Sequence, residues 1–193
     1  MVKVAIFHEG NANKSYDNEL LKLLLKTLEL DLSYVKFVGM GSKSNFFKSD
    51  NDNYKEVLLD VKRKAINKIL FIVDADYEEN DSTYGGYTNT QTALTSIIET
   101  LDIEKYSYTY IMCDPRDRCG YLESFILSTI SEEQKNCIET FLECSDFTSK
   151  ENHKAILNQI YKTAYPKAPY DFLHENFNEL KQKLQTLFEG IEK

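Results

Sequence analysis

The feature that most constrains the fold is the run Lys68-Ile69-Leu70-Phe71-Ile72-Val73, whose last five residues are the longest apolar stretch in the chain. A strand with one wet face alternates apolar and polar residues. An unbroken apolar strand is covered on both faces, as the central strand of a parallel sheet is. Five residues also fall far short of the roughly 20 that cross a bilayer, which excludes a membrane span. The surroundings repeat a strand–helix pattern. Val2–Phe7 reads as a first strand. Leu20, Leu21, Leu24, Leu25 and Leu28 then share one helical face, predicting a helix over Tyr16–Glu29. Tyr34–Val38 reads as a second strand, Gly41 to Asp52 as a loop, and Tyr54, Val57, Leu58, Val61 and Ala65 as a helical stripe. Past the apolar strand, Leu94, Ile97, Ile98 and Leu101 mark a third helix and Tyr106–Cys113 a fourth strand. Successive strand–helix–strand crossovers predict an α/β fold: a mainly parallel sheet of about four strands flanked by helices.

From Gly120 onward the pattern is helical only. Leu122, Phe125, Ile126 and Ile130 form one stripe, and Ile138, Phe141 and Leu142 another, the latter opened by Ser131 with Gln134 in capping-box register. Ile156, Leu157, Ile160 and Ala164 form a third, and Phe177, Leu180, Leu184, Leu187 and Phe188 the last. The expected organisation is an α/β core over residues 1–130, with a helical C-terminal extension over 131–193 packed on the same domain.

The chain of 193 residues carries 23 Lys+Arg against 31 Asp+Glu, a formal charge of −8. Proteins that wrap phosphate backbones are usually basic, so the charge argues against a nucleic-acid coat and leaves room for acids that hold a divalent metal. Met1 runs directly into the first strand, without the charged and apolar segments of an export signal. The four cysteines make no C-x-x-C pair and are expected as reduced thiols, with Cys137 and Cys144 on the core side of one helix. Both features predict a cytoplasmic protein.

Ligands of a parallel sheet bind beyond the carboxyl ends of its strands. The first strand ends in His8-Glu9-Gly10, the third in Asp74-Ala75-Asp76, and the fourth in Asp114-Pro115-Arg116-Asp117-Arg118 ahead of Gly120-Tyr121-Leu122-Glu123. Carboxylates gathered on one edge repel each other unless something positive sits among them, and Mg²⁺ (or Mn²⁺) is the hard cation that oxygen ligands suit. Asp74 and Asp76 would point the same way on a continuing strand. His8, one residue from Glu9, would face the opposite side of the sheet and pack against a helix. For Asp74-x-Asp76 taken alone, solvated loop acids remain an alternative. The thirteen tyrosines could stack on bases, but many, such as Tyr34, Tyr54 and Tyr106, fall at core-stripe or strand positions, and the loop Gly39-Met40-Gly41-Ser42-Lys43-Ser44 lacks phosphate-loop spacing.

A Glu-Gly after the first strand, followed by a hydrophobic strand ending in Asp-x-Asp, resembles the Toprim domain, the Mg²⁺-dependent catalytic fold of topoisomerases, primases and several nucleases. The Ile111-to-Pro115 segment followed by Gly120-Tyr121-Leu122-Glu123, and the later Lys154-Ala155, are similar to small stand-alone Toprim-like proteins. The resemblance implies a Toprim-like, Rossmann-like fold, with Glu9 as general acid/base, Asp74 and Asp76 (with Glu9) as metal ligands, and Glu123 as an additional acid. Asp17 and Asp114 are further acids within reach. The chain departs from the pattern in the long stretch Asn11–Tyr16 before Asp17, and in the absence of a glycine three residues after Asp76.

The reaction so implied is cleavage or transfer of a phosphodiester in DNA or RNA. Lys14, Arg116 and Arg118 could clamp phosphate oxygens or form a solvated basic face. Two other readings stay open: a catalytically degenerate Toprim-like module that binds a protein partner, and a metal-dependent nucleotide-sugar transferase built on D-x-D.

Overall fold

A computed structural model describes residues 2–11, 15–145, 150–164 and 170–191, without the side chains of 150–153 and 164. Four strands, β1 (Val4–His8), β2 (Val35–Gly39), β3 (Lys68–Asp74) and β4 (Ser107–Met112), form one sheet in the order β2-β1-β3-β4. Every pairing is parallel: Val4 lies opposite both Val35 and Lys68, and Ile69 opposite Ser107. The α/β architecture expected from the apolar run is the one observed.

The apolar run is buried because each face of β3 meets a different helix layer. Leu70 and Ile72 pack with Val4 and Ile6 against α1 (Tyr16–Thr27) and, from the C-terminal region, α8 (Asn178–Phe188). Ile69, Phe71 and Val73 pack with Ala5 and Phe7 against α3 (Asp52–Lys62) and α4 (Tyr87–Thr100). Leu180, Leu184 and Leu187 of α8 are completely buried. At roughly 1.5–3 kcal/mol for each buried leucine, this last helix is a major part of one core layer.

Between these layers the chain adds a four-residue helix, α2 (Lys43–Phe46), inside the stretch expected as a loop. After β4 come α5 (Leu122–Leu127), α6 (Glu132–Cys144) and α7 (Lys150–Ala164). Ser131 and Gln134 form the expected capping box of α6. That helix buries only Ile138, in a small cluster with Leu127 and Leu157. Phe141 is 47% exposed, and Cys137 and Cys144 are exposed rather than core-facing. Among the described residues, no helix is long and apolar enough to cross a membrane.

The sheet order creates the feature that matters for a site. The chain leaves β1 toward β2 on one side and later returns to place β3 on the other. The segments after β1 and β3 therefore diverge from neighbouring strands, and the crevice between them is the topological switch point where parallel sheets bind ligands.

Candidate functional site

Glu9 and Asp74 meet at that crevice. Glu9 follows β1, Asp74 is the last residue of β3, and a Glu9 carboxylate oxygen (Oε1) accepts the Asp74 backbone N–H at 2.9 Å. Gly10 permits the turn after Glu9, because a Cβ there would lie 2.2 Å from Ser15 Cβ and 2.6 Å from Asp17 Oδ2. The close approach draws the start of α1 inward. Ser15 caps that helix by accepting the Asn18 N–H, and Asp17 in its first turn enters the crevice. Glu123 arrives from the first turn of α5, 5% exposed, accepting a hydrogen bond from Asn158 Nδ2 of α7.

Asp76 is placed differently from the sequence expectation. The strand ends at Asp74, and Asp76 turns into the left-handed region with φ +58°. Its N–H donates to Gly120 O at 2.6 Å, and Gly120 N–H donates back to Asp76 O at 3.1 Å. Asp74 and Asp76 therefore do not project as neighbours on a continuing strand, and each meets its own cation. Lys43 Nζ of α2 lies 3.5 Å from Asp76 Oδ2 and donates to Ala75 O at 2.7 Å. Lys154 Nζ of α7 lies 3.6 Å from Asp74 Oδ2 and 4.2 Å from the centre of the Tyr121 ring.

Among the described residues, five acids, Glu9, Asp17, Asp74, Asp76 and Glu123, thus stand around two ammonium groups, an excess of three negative charges if all ionise. The titration behaviour reflects this. Burial, then the Asp76 charge, pushes Glu9 up to about 7, against the pull of the Asp74 N–H and Lys43. Burial and then the Glu9 and Asp17 charges raise Asp74 well above the usual carboxylate range. Burial also raises Asp17 and Glu123, with Lys154 the leading opposing influence on both. Burial lowers Lys43 despite its acidic neighbours, whereas at Lys154 the acids, Asp74 foremost, outweigh burial and raise it. A cleft of about 350 Å³ opens here, lined by Gly10, Asn11, Ser15, Asp17, Glu123 and Lys154 among others.

The donor set suits a hard divalent cation: oxygen ligands only, an unbalanced negative charge, and buried carboxyls whose ionised forms a cation would stabilise. Among the described residues, however, no three His, Cys, Asp or Glu side chains form a ready metal cage. The two lysines stand where cationic charge is needed.

The remaining sequence candidates separate from this cluster. Asp114, 1% exposed, accepts Arg116 N–H and Nε at 3.0 and 3.1 Å, Arg116 Nη2 at 3.0 Å and Lys135 Nζ at 2.9 Å. It ties the end of β4 to α6, and Arg116 also pairs with Glu132. Arg118 lies over the Tyr87 ring, 3.9 Å from its centre. Lys14 lies outside the described residues. His8 is buried, on the face of β1 that carries Val4 and Ile6, and burial, aided by Lys22, holds its imidazole down to about 4 and therefore neutral.

Sequence reasoning missed both lysines as site residues. Lys43 had a signal, a lysine in a glycine-flanked turn directly after a strand's carboxyl end. Lys154 stood in the Lys154-Ala155 pair that shares in the family resemblance, but its place at the acids was not legible, since α7 reaches the crevice only through tertiary packing. Comparisons of the chain with protein-family models, with curated proteins and with solved structures find no match.

Proposed function

We propose that the crevice is a Mg²⁺- or Mn²⁺-dependent phosphoryl-transfer site that cleaves phosphodiesters in DNA or RNA. One observation carries the reading: Glu9 and Asp74 meet at the β1–β3 switch point among three further buried or half-buried acids, with two lysines among the described residues to balance them. The Toprim resemblance of Glu9-Gly10 and Asp74-x-Asp76 supports the same assignment. Asp74, Asp76 and Glu9 would hold the cation only by exchanging the lysine partners of the two aspartates for it, and it would then supply neutralisation of phosphate charge and of charge building on oxygen in the transition state. Glu9, half-buried and titrating near neutrality, is suited to move a proton to or from the attacking or leaving oxygen. Lys154 and Lys43 would bind phosphate oxygens beside it.

Calorimetric titration of Mn²⁺ into the wild type and an Asp74→Asn/Asp76→Asn variant tests the centre. The expected result is saturable binding in the wild type that the variant loses, with metal-dependent cleavage of DNA or RNA oligonucleotides lost in parallel. A second reading, a non-catalytic module that docks a protein partner, is favoured by the pairing of Asp74 and Asp76 with Lys154 and Lys43. It predicts no saturable metal binding and no cleavage.

A further inference from the structure

A second cavity, of about 620 Å³, lies between the turn Tyr77-Glu78-Glu79, the first turn of α4 and the segment Asp117–Cys119. The volume is within the range that holds a small organic ligand. Two tyrosine rings, Tyr77 and Tyr87, line it, and the Arg118 guanidinium stacks 3.9 Å from the centre of the Tyr87 ring. A stacked guanidinium and aromatic ring form the kind of flat platform on which nucleic-acid bases lie. Among the described residues, the other charged groups on the wall are carboxylates, Glu78, Glu79 and Asp117. They repel a phosphate, and they accept hydrogen bonds from the amino and ring N–H groups of a base. The cavity therefore suits the base of a nucleotide and not its phosphate.

The backbone couples this cavity to the acidic crevice. Tyr77 directly follows Asp76, and Arg118 stands two residues before Gly120, the partner of Asp76 in the two-hydrogen-bond bridge. Asp76, a partner in the bridge, and Arg118, two residues before its other partner, both hold φ +58° in the left-handed region. On the crevice side, the Tyr77 ring meets Tyr121 edge-on at 5.9 Å, and Tyr121 carries the Lys154 ammonium on its face. Tyr77, on the cavity wall it shares with Tyr87 and Arg118, thus connects through Tyr121 to the lysine beside Asp74.

We propose that the Tyr77–Tyr87–Arg118 cavity is a nucleobase subsite, which takes one unpaired base of a single-stranded nucleic acid whose backbone runs toward Lys154. The backbone half of this assignment rests on the phosphodiester reading of the crevice. The base half does not. A base inside a duplex is stacked and paired, so an unpaired nucleotide is the form that can enter.

Saturation-transfer NMR with the four nucleoside 5′-monophosphates and with ribose 5-phosphate, all in EDTA, tests it. Saturation is expected to be strongest on the base protons and absent from ribose 5-phosphate. Arg118→Ala and Arg118→Lys are each expected to weaken nucleotide binding about fivefold or more, the low end of what one stacked base contributes. Arg118 is exposed, so both variants keep the fold, and thermal unfolding checks this. Arg118→Lys binding like the wild type, ribose 5-phosphate saturating as strongly as the nucleotides, or no base saturation at millimolar nucleotide would each overturn the subsite. Asp74→Asn is expected to keep the base signal in EDTA. Loss of Mn²⁺ binding and loss of base binding are therefore separate failures, the first of the metal centre and the second of this subsite.

Discussion

Replacing Glu9 with glutamine removes a charge that the fold holds at a cost, and the cost can be worked out. The Glu9 carboxyl is shifted from 4.5 to about 7, chiefly by burial and then by the Asp76 charge. At about 1.36 kcal/mol for each pH unit, ionising Glu9 in the folded protein costs at most about 3 kcal/mol more than in the unfolded chain. Between pH 4.5 and 7 the native state retains a proton that the unfolded chain has released, so stability contributed by this group falls as pH rises through that window. Glutamine keeps the carbonyl oxygen that accepts the Asp74 N–H and never ionises. Glu9→Gln is therefore expected to match the wild type in urea unfolding at pH 4.5 and to exceed it by about 2–3 kcal/mol at pH 8. In thermal unfolding the gain at pH 8 corresponds to about 5–10 °C in Tm for a chain of this size. Saturating Mg²⁺ should narrow the difference, because a cation stabilises the ionised carboxylate of the wild type. A pH-independent difference, or a glutamine variant less stable than the wild type at pH 8, would refute the burial-and-repulsion account of Glu9.

Three further outcomes follow from separate contacts. Gly10→Ala places a Cβ 2.2 Å from Ser15 Cβ, so the start of α1 must move; a loss of about 1–3 kcal/mol is expected in urea unfolding. Asp114→Asn should destabilise at neutral pH by a similar ~1–3 kcal/mol. Burial raises the Asp114 carboxyl, but hydrogen bonds from Arg116 and Lys135 outweigh this and hold it below the ordinary 3.8, so the difference should shrink only as pH falls below that value. A thiol reagent should label Cys137 and Cys144 quickly in the folded protein and the buried Cys113 slowly, as mass spectrometry of labelled peptides would show.

The main lines of the fold were legible because they rest on periodicity. The unbroken apolar strand at Lys68–Val73 and the leucine spacing of α1 and α8 follow from the requirement that a strand or a helix bury a particular face. The Glu9–Asp74 meeting was legible for a related reason: parallel strands deliver the residues that follow them to one edge. Local pattern carried less where packing had to choose between faces. Phe141 and Cys137 lie on a helix whose buried side is one residue wide, and Ile138 alone takes it.

The sequence by itself determined the sheet, its covering helices and the delivery of Glu9, Asp74 and Asp76 to its carboxyl edge, because these are short-range consequences of residue spacing. Tertiary structure alone decided which charges stand together. It turned Asp76 out of the strand through the Gly120 bridge, brought Lys43 and Lys154 from distant helices to the acids, and took Asp114 and Arg116 away to α6. Electrostatic energy depends on distances of a few ångströms and on burial, and no spacing along the chain encodes either.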